Sequence, residues 1–353
     1  MTIVYILFAI LVFGVLIGIH EFGHFITAKA CGVKVEEFSI GMGPAFWKKQ
    51  KGETLYALRA IPIGGYCAMM GEDSASEDPR AFTNQKPWKR ILILCAGSFM
   101  NFLLGLVILF LLFVGMKGIP APVISGFLDA CPYQTEEGLQ LGDRFYRIDG
   151  HRIYDNDDVI DFLSRGGDTY DIVVIRDGEQ VLLDDFYMVP IQYEGQEKKA
   201  FGFSVGAVLE PTLGNKLDYT WGTAMQFSRI VWMSLGDLIH GKVEMKQLGG
   251  PVAIVDLMAE TGKQSPTVGV ALQNILYIGA LIAINLAIMN MLPIPALDGG
   301  RVFLLLITWL IESVTRKKLN PKYEGYIHAA GMILLLGLMA FVMFNDVLRI
   351  VQQ

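Results

Sequence analysis

The sequence predicts a multi-span α-helical membrane protein carrying four transmembrane helices, cytoplasmic membrane-associated β-hairpins and an inserted, extracytoplasmic β-rich domain. Three observations lead there. Of its 353 residues 53% are hydrophobic, and the mean hydropathy of +0.43 is too high for an ordinary soluble chain. Apolar runs long enough to cross a hydrocarbon core of roughly 30 Å recur along it. Between the second and third of these runs lies a polar stretch, 122–208, of short strand-like segments.

The first span is read over residues 3–27. No Lys or Arg precedes the apolar run, and the run is long, so a cleaved signal peptide is not expected despite Ala28-Lys29-Ala30. The second span runs from Ile91 to Val114. The third covers about Leu272 to Leu292 and ends in the proline-broken "NMLPIPALDGG", and the fourth covers about Ile327 to Val347. Ten cations, from Lys29 to Arg90, lie between spans one and two, and Arg316, Lys317, Lys318 and Lys322 lie between spans three and four. Both connections are therefore expected in the cytoplasm, with the N-terminus, the insert and the C-terminus outside.

Residues 36–73 alternate β-prone positions around Lys51-Gly52 and Gly64-Gly65 and read as hairpins, with 74–87 as a solvated connector. In the insert, Asp177-Gly178 between two apolar stretches is a hairpin turn signal. Within 209–271, the segment holding Trp221 and Trp232 has helical periodicity. It reads as an amphipathic helix at the membrane interface, because Asp218, Arg229 and Asp237 would be costly inside a fifth span. The domain division is thus 1–121, 122–208, 209–271 and 272–353. Cys31, Cys67, Cys95 and Cys131 have no paired spacing and read as small buried hydrophobes. The net charge of −6 comes with no basic cluster, which gives no reason to expect nucleic acid.

The segment "GVLIGIHEFGHFITAKA" places His20, Glu21 and His24 inside the first span. An ionisable group at bilayer depth costs about 2.5–3.5 kcal/mol on insertion scales, so three together need a compensating interaction. His20 and His24, one helical turn apart, share a face and can share one ion, while Glu21 can reach a water bound to it. This is the H-E-x-x-H arrangement of zinc hydrolases. A third ligand is needed. His151, His240 and His328 have no companion motif, whereas Asp298 follows Pro293 and Pro295 in a broken membrane helix. Asp298 as ligand and Asp298 as a plain helix cap remain equally open on this reasoning.

Within the insert, "EGLQLGDRFYRIDGHRI" resembles a PDZ signature, a glycine-leucine loop ahead of a Gly-Asp pair and a strand, although "CPYQTEEGL" stands where small residues are usual. Taken together, "HEFGH", the PDZ-like insert and "NMLPIPALDGG" resemble the site-2 protease family of intramembrane zinc metalloproteases, in its bacterial RseP type with a single PDZ domain rather than two. The resemblance implies one catalytic Zn2+ held by His20, His24 and Asp298, with Glu21 as general base. It implies a substrate-binding strand edge around Gly64, Gly65 and Tyr66, and asparagines Asn285 and Asn290 holding substrate near the metal. It further implies single-span membrane proteins as substrates, anti-sigma factors or signal-peptide remnants among them, and a bacterial inner-membrane location with the active site toward the cytoplasm. Two other readings use the same residues: a carrier or metal transporter with a transit site at the broken helix, and a peptide-docking module with an inert metal site.

Overall fold

The computed structural model describes residues 2–72, 76–193, 199–241 and 250–315, and only scattered positions between 327 and 342. By internal contacts the chain forms two units, 1–108 with 230–353, and 109–229.

In the first unit, α1 (Thr2–Cys31) is apolar around its whole circumference for its first five turns, and its 30 residues span about 45 Å. It runs four residues past the expected Thr27 because its stop signal is Gly32. There φ is +83°, and Gly32 N–H and Val33 N–H donate to Lys29 O and Ala28 O. That pair of bonds closes the helix in a left-handed glycine cap. One stripe of α1, Tyr5, Ala9, Val12 and Leu16, is buried against α5 (Pro251–Gln264) and α6 (Val268–Asn290). The stripe Leu7, Leu11, Val15, Phe22 and Ile26 is exposed, as a lipid-facing surface is.

The second long helix, α2 (Pro87–Val114), starts four residues before the expected Ile91, since proline at a first turn forfeits no hydrogen bond. With α1 and α6 it makes three described helices long and apolar enough to cross a membrane. The expected fourth span, 327–347, lies outside the described residues apart from scattered positions. α6 is capped by Thr267, whose hydroxyl accepts from Val270 N, and it stops two residues short of the expected Leu292. Pro293 and Pro295 then carry the chain through a tight turn into α7 (Asp298–Thr315).

Between α1 and α2 the chain builds β1 (Val35–Lys51) and β2 (Thr54–Met69). The expected Lys51-Gly52 turn is present, with Lys51 opposite Thr54 and Gly52 at φ +62°. The hairpin is then folded on itself. Glu37 to Ile40 face Leu55 to Leu58 on one side and Ala68 to Gly65 on the other, so Gly65–Met69 becomes an outer limb. The fold-back occurs at Gly64, φ +85°. Arg59 ties the limbs together, donating to Glu37 (2.6 Å), Ser39 (2.8 Å) and the Tyr66 hydroxyl (2.5 Å). Desolvation pushes the Glu37 carboxyl upward, but the hydrogen bonds of Arg59 and Tyr66 outweigh it and hold Glu37 below its ordinary range.

The second unit contains an antiparallel sheet in the order β7-β6-β4-β3-β8, with β5 on β4. These strands are β3 (Ile119–Phe127), β4 (Arg144–Ile148), β5 (His151–Arg152), β6 (Thr169–Arg176), β7 (Glu179–Tyr187) and β8 (Phe203–Leu209). Its ends at Ile119 and Leu209 enclose the expected 122–208. The Asp177-Gly178 signal is a two-residue hairpin turn, Arg176 opposite Glu179, with φ +52° and +87°. α3 (Asn156–Arg165) is capped by Asp155, and Phe145, Ile148, Tyr170, Ile172 and Val174 fill the core.

α4 (Leu213–Ile239) follows, with Trp221 and Trp232 both exposed. Arg229, one of the charges that would be costly inside a membrane span, reaches the insert. Its guanidinium pairs with Asp158 at 3.1 Å and donates to the Arg152 carbonyl. All four cysteines are free thiols, three buried and Cys95 half-buried. Burial pushes the Cys67 thiol well up, which suits an inert side chain.

Candidate metal centre

The site is assembled where α1, α2, α7 and the outer limb of β2 meet, inside the first unit. Helical spacing alone puts His20 and His24 on one face of α1. Their Nε2 atoms lie 3.2 Å apart. Asp298, the first residue of α7, brings Oδ2 to 3.2 Å from each. Sequence reasoning left Asp298 between ligand and helix cap, and the geometry brings it to the histidines. It gets there because Gly299 and Gly300 are bare. A Cβ at Gly299 would meet the Met291 backbone, and one at Gly300 would come within 3.0 Å of Pro295 N and closer still to Ile294. Only glycine lets α7 press against its own leading turn, with Ala296 held at φ +83° beside it.

α2 sets the other side. Gly23 of α1 and Gly97 of α2 stand where these helices cross: a Cβ on Gly23 would be 2.5 Å from Ala96 O, and one on Gly97 2.7 Å from His20 Cε1 and closer to His24 Nε2. Small residues permit this approach. Because of it, His24 Nδ1 reaches the Ile93 carbonyl at 2.8 Å. A carbonyl only accepts, so Nδ1 carries the hydrogen, and neutral His24 turns its Nε2 lone pair toward His20 and Asp298.

With both imidazoles neutral and their Nδ1 hydrogens directed away, the site aims acceptors at one another. Asp298 Oδ2 is buried, and no hydrogen-bond donor of suitable geometry satisfies it. Facing lone pairs repel unless a cation lies among them, and the donor set, two imidazoles and one carboxylate, is that of catalytic zinc sites. Zinc bonds of about 2.0–2.1 Å at tetrahedral angles separate their ligand atoms by about 3.3–3.4 Å. The 3.2 Å edges found here match that spacing. The residues present fit the ion, and among the described residues this is the one such cluster.

His20, Glu21, His24 and Asp298 line a cavity of about 680 Å³ together with Gly65, Tyr66 and Asn290. Gly65 abuts Glu21: a Cβ there would lie 3.2 Å from Glu21 Cγ and 2.9 Å from Ser39 O. Gly64 is not part of the lining; it is the bend beneath it, against Met42. Asn285 is exposed on α6 and is likewise not part of the lining. Sequence reasoning missed what α2 contributes, although an asparagine four residues after a glycine in an apolar span, Gly97 and Asn101, was a visible signal. It also missed an ion pair at this cavity between Glu72 and Arg301.

With that geometry in place, the comparisons with known proteins can be stated. The pattern of peptidase family M50 matches residues 8–338. A protein of Clostridium perfringens, provisionally named a zinc metalloprotease, is 35% identical over 348 residues, covering 98% of each chain. One of Clostridium acetobutylicum with the same kind of name is 36% identical over 345 residues, 97% of each. A third, from Campylobacter jejuni, is 33% identical over 361 aligned positions, 98% of this chain and 93% of its own. The HExxH helix, the returning aspartate and this end-to-end match agree, and the chain belongs to peptidase family M50, the site-2 protease family.

Proposed function

We propose that the chain is an intramembrane zinc endopeptidase that cleaves single-span membrane proteins within their spans. One observation carries the reading: three ligand atoms lie 3.2 Å from one another with a glutamate in the same cavity, and two of the ligands and that glutamate sit on a helix apolar enough to cross a bilayer. His20 lies eleven residues before the end of α1 and His24 seven, which sets the centre about 10–16 Å along the helix from that end. The names of the relatives support zinc as the metal. When bound, zinc supplies a Lewis acid that lowers the pKa of water toward about 7 and polarises a carbonyl.

The chain's own residues do the rest. His20, His24 and Asp298 would hold the ion, and the single negative charge of Asp298 offsets half of its charge. Glu21, two-sided neighbour of the cluster and of the strand limb, takes the proton of the attacking water and returns it to the leaving amine. A peptide bond in a membrane helix is shielded by its own hydrogen bonds, so the substrate has to unwind. The Gly65–Met69 limb offers it a strand edge: the segment gives up helix hydrogen bonds and gains ladder bonds beside Glu21. Tyr66 and the Asn290 amide then face the extended segment. The insert, as a single PDZ-like domain outside the membrane, would screen substrates by size and admit those an earlier cleavage has shortened, such as anti-sigma factors or signal-peptide remnants. On this reading the enzyme lies in the bacterial cell membrane with its site toward the cytoplasm.

The test is the purified full chain in proteoliposomes with a single-span reporter. Wild type should cleave it, and Glu21→Gln should retain zinc while losing cleavage. Zinc flux across the vesicles without cleavage by wild type would reject the protease reading in favour of a carrier.

A further inference from the structure

His24 has its orienting partner in the Ile93 carbonyl. His20, the other imidazole, meets a different group. The Asn101 side-chain amide lies against His20 Nδ1, its nitrogen 3.4 Å away. Asn101 is 1% exposed, in the middle of an apolar helix, and its Oδ1 is buried with no hydrogen-bond partner. An unsatisfied amide oxygen at that depth is costly, and so is an imidazole nitrogen without a fixed role. A half-turn of the amide about its last bond gives the oxygen a partner and the imidazole nitrogen a fixed role. Oδ1 then accepts the Nδ1 hydrogen of His20, which leaves the Nε2 lone pair directed at His24 and Asp298.

We infer that Asn101 is a positioning residue of the metal centre: its amide oxygen fixes the tautomer and ring orientation of His20, as the Ile93 carbonyl does for His24. The two anchors stand eight residues apart on α2, with Gly97 midway admitting the imidazoles. One face of α2 thus holds both rings by their far nitrogens. The neighbouring Ser98 is also buried, with an unsatisfied hydroxyl, but no imidazole hydrogen bond involves it. It serves as the internal control. Partners of this kind, beyond the ligands themselves, typically carry 10–100-fold of a site's metal affinity.

This inference rests on the zinc reading above, and the experiment separates the two. Zinc affinity of the full chain in detergent is measured by competition with a chromophoric chelator, and the visible spectrum of the cobalt-substituted protein is recorded. Asn101→Leu, similar in volume and unable to accept, should bind zinc 10–100-fold more weakly and change the cobalt bands. Asn101→Asp, which keeps an oxygen acceptor, should restore affinity to within about threefold. Ser98→Ala should match wild type. Thermal unfolding of the metal-free Asn101→Leu protein should be unchanged or raised, since a polar group has left an apolar span. Wild-type affinity and spectrum in Asn101→Leu would overturn the inference, as would an Asn101→Asp protein that folds yet binds no better than the leucine variant. If Asn101→Leu does not fold, the aspartate variant alone decides, because a changed cobalt spectrum there denies the acceptor role. A wild-type chain that binds no zinc would instead overturn the parent reading.

Discussion

Two carboxylates with buried oxygens, Asp143 in the insert and Asp298 at the candidate metal centre, are treated in opposite ways. Asp143, its side chain fully buried, is saturated by the protein. Arg176 donates to both its oxygens at 2.8 Å, and Gln140 N donates at 2.8 Å as well. In return, Asp143 holds the Arg176 guanidinium firmly in its charged form. Asp298 is turned toward two imidazole nitrogens that, once their far sides are hydrogen-bonded, offer it lone pairs. The first arrangement completes a fold; the second fits a cation and, on the proposed reading, is built to hold one. The difference predicts that mutations at the two places fail by different measures.

The largest effect belongs to Glu21→Gln. The amide cannot take a proton, so reporter cleavage should fall about 10²–10⁴-fold, the range of a lost general base, with zinc retained at one ion per chain by atomic emission. Cleavage within tenfold of wild type would remove Glu21 from the chemistry. Next comes the direct contrast. Asp298→Ala should lose most of its bound zinc while the metal-free protein unfolds at the wild-type temperature or above. Arg176→Ala should keep its zinc and destabilise the insert by about 3–5 kcal/mol, the cost of stranding a buried charge. Zinc fully retained in Asp298→Ala, or an insert indifferent to Arg176→Ala, would erase the distinction.

Two glycines sharpen the contrast within the centre. Gly97→Ala thrusts a methyl 2.7 Å from His20 Cε1. Overpacking of about 1–3 kcal/mol should lower zinc affinity about 5–150-fold in chelator competition. Gly65→Ala instead crowds Glu21 Cγ at 3.2 Å and the strand at Ser39 O. It should cut cleavage about tenfold while leaving zinc affinity alone, a split that separates the substrate edge from the ion. Equal loss of both properties in Gly65→Ala would mean that β2 supports the metal rather than the peptide.

How much of this was legible beforehand depends on whether the cause was local. His20 and His24 could be paired from helical spacing, and the Asp177-Gly178 and Lys51-Gly52 turns from their residue types, because in each case the partners are a few residues apart. Asp298 stayed ambiguous, since a carboxylate at a helix start has a local role whatever lies 278 positions earlier in the chain. Only the close approach allowed by Gly299 and Gly300 brings its carboxylate beside the histidines. The fold-back of β2 onto β1 was hidden for a similar reason: alternation gives strands but not which edges meet. The partner of Arg229 was not legible because Asp158 is 71 residues away and nothing in the helix of Arg229 marks it. Asn285 and Asn290 look alike in sequence, yet five residues on a helix turn them to different faces, and only Asn290 reaches the cavity.

A third carboxylate, Asp155, stands between the two extremes and gives the smallest effect. It caps α3 by accepting from Asp158 N at 2.9 Å, but among the described residues no cation pairs with it. Burial, with the charges of Asp158 and Asp157 adding to it, pushes its carboxyl up to about 6. The guanidinium of Arg229 is taken by Asp158. An unfolded aspartate titrates near about 3.9, so the folded insert binds this proton more tightly than the unfolded chain. The stability gained is complete below about pH 4 and is lost as the pH rises through about 6. Two units would be worth about 2.7 kcal/mol, but the side chain is only partly buried, and solvent screening reduces this to about 1 kcal/mol. Asparagine caps helices as well as aspartate does and carries no charge. Asp155→Asn should therefore remove this slope: α3 amide exchange, corrected for intrinsic rates, should weaken by about 1 kcal/mol more in wild type than in the variant between pH 4 and 7.5. Parallel profiles for the two proteins would show that the α3 cap, like Asp143, is already satisfied by the protein around it.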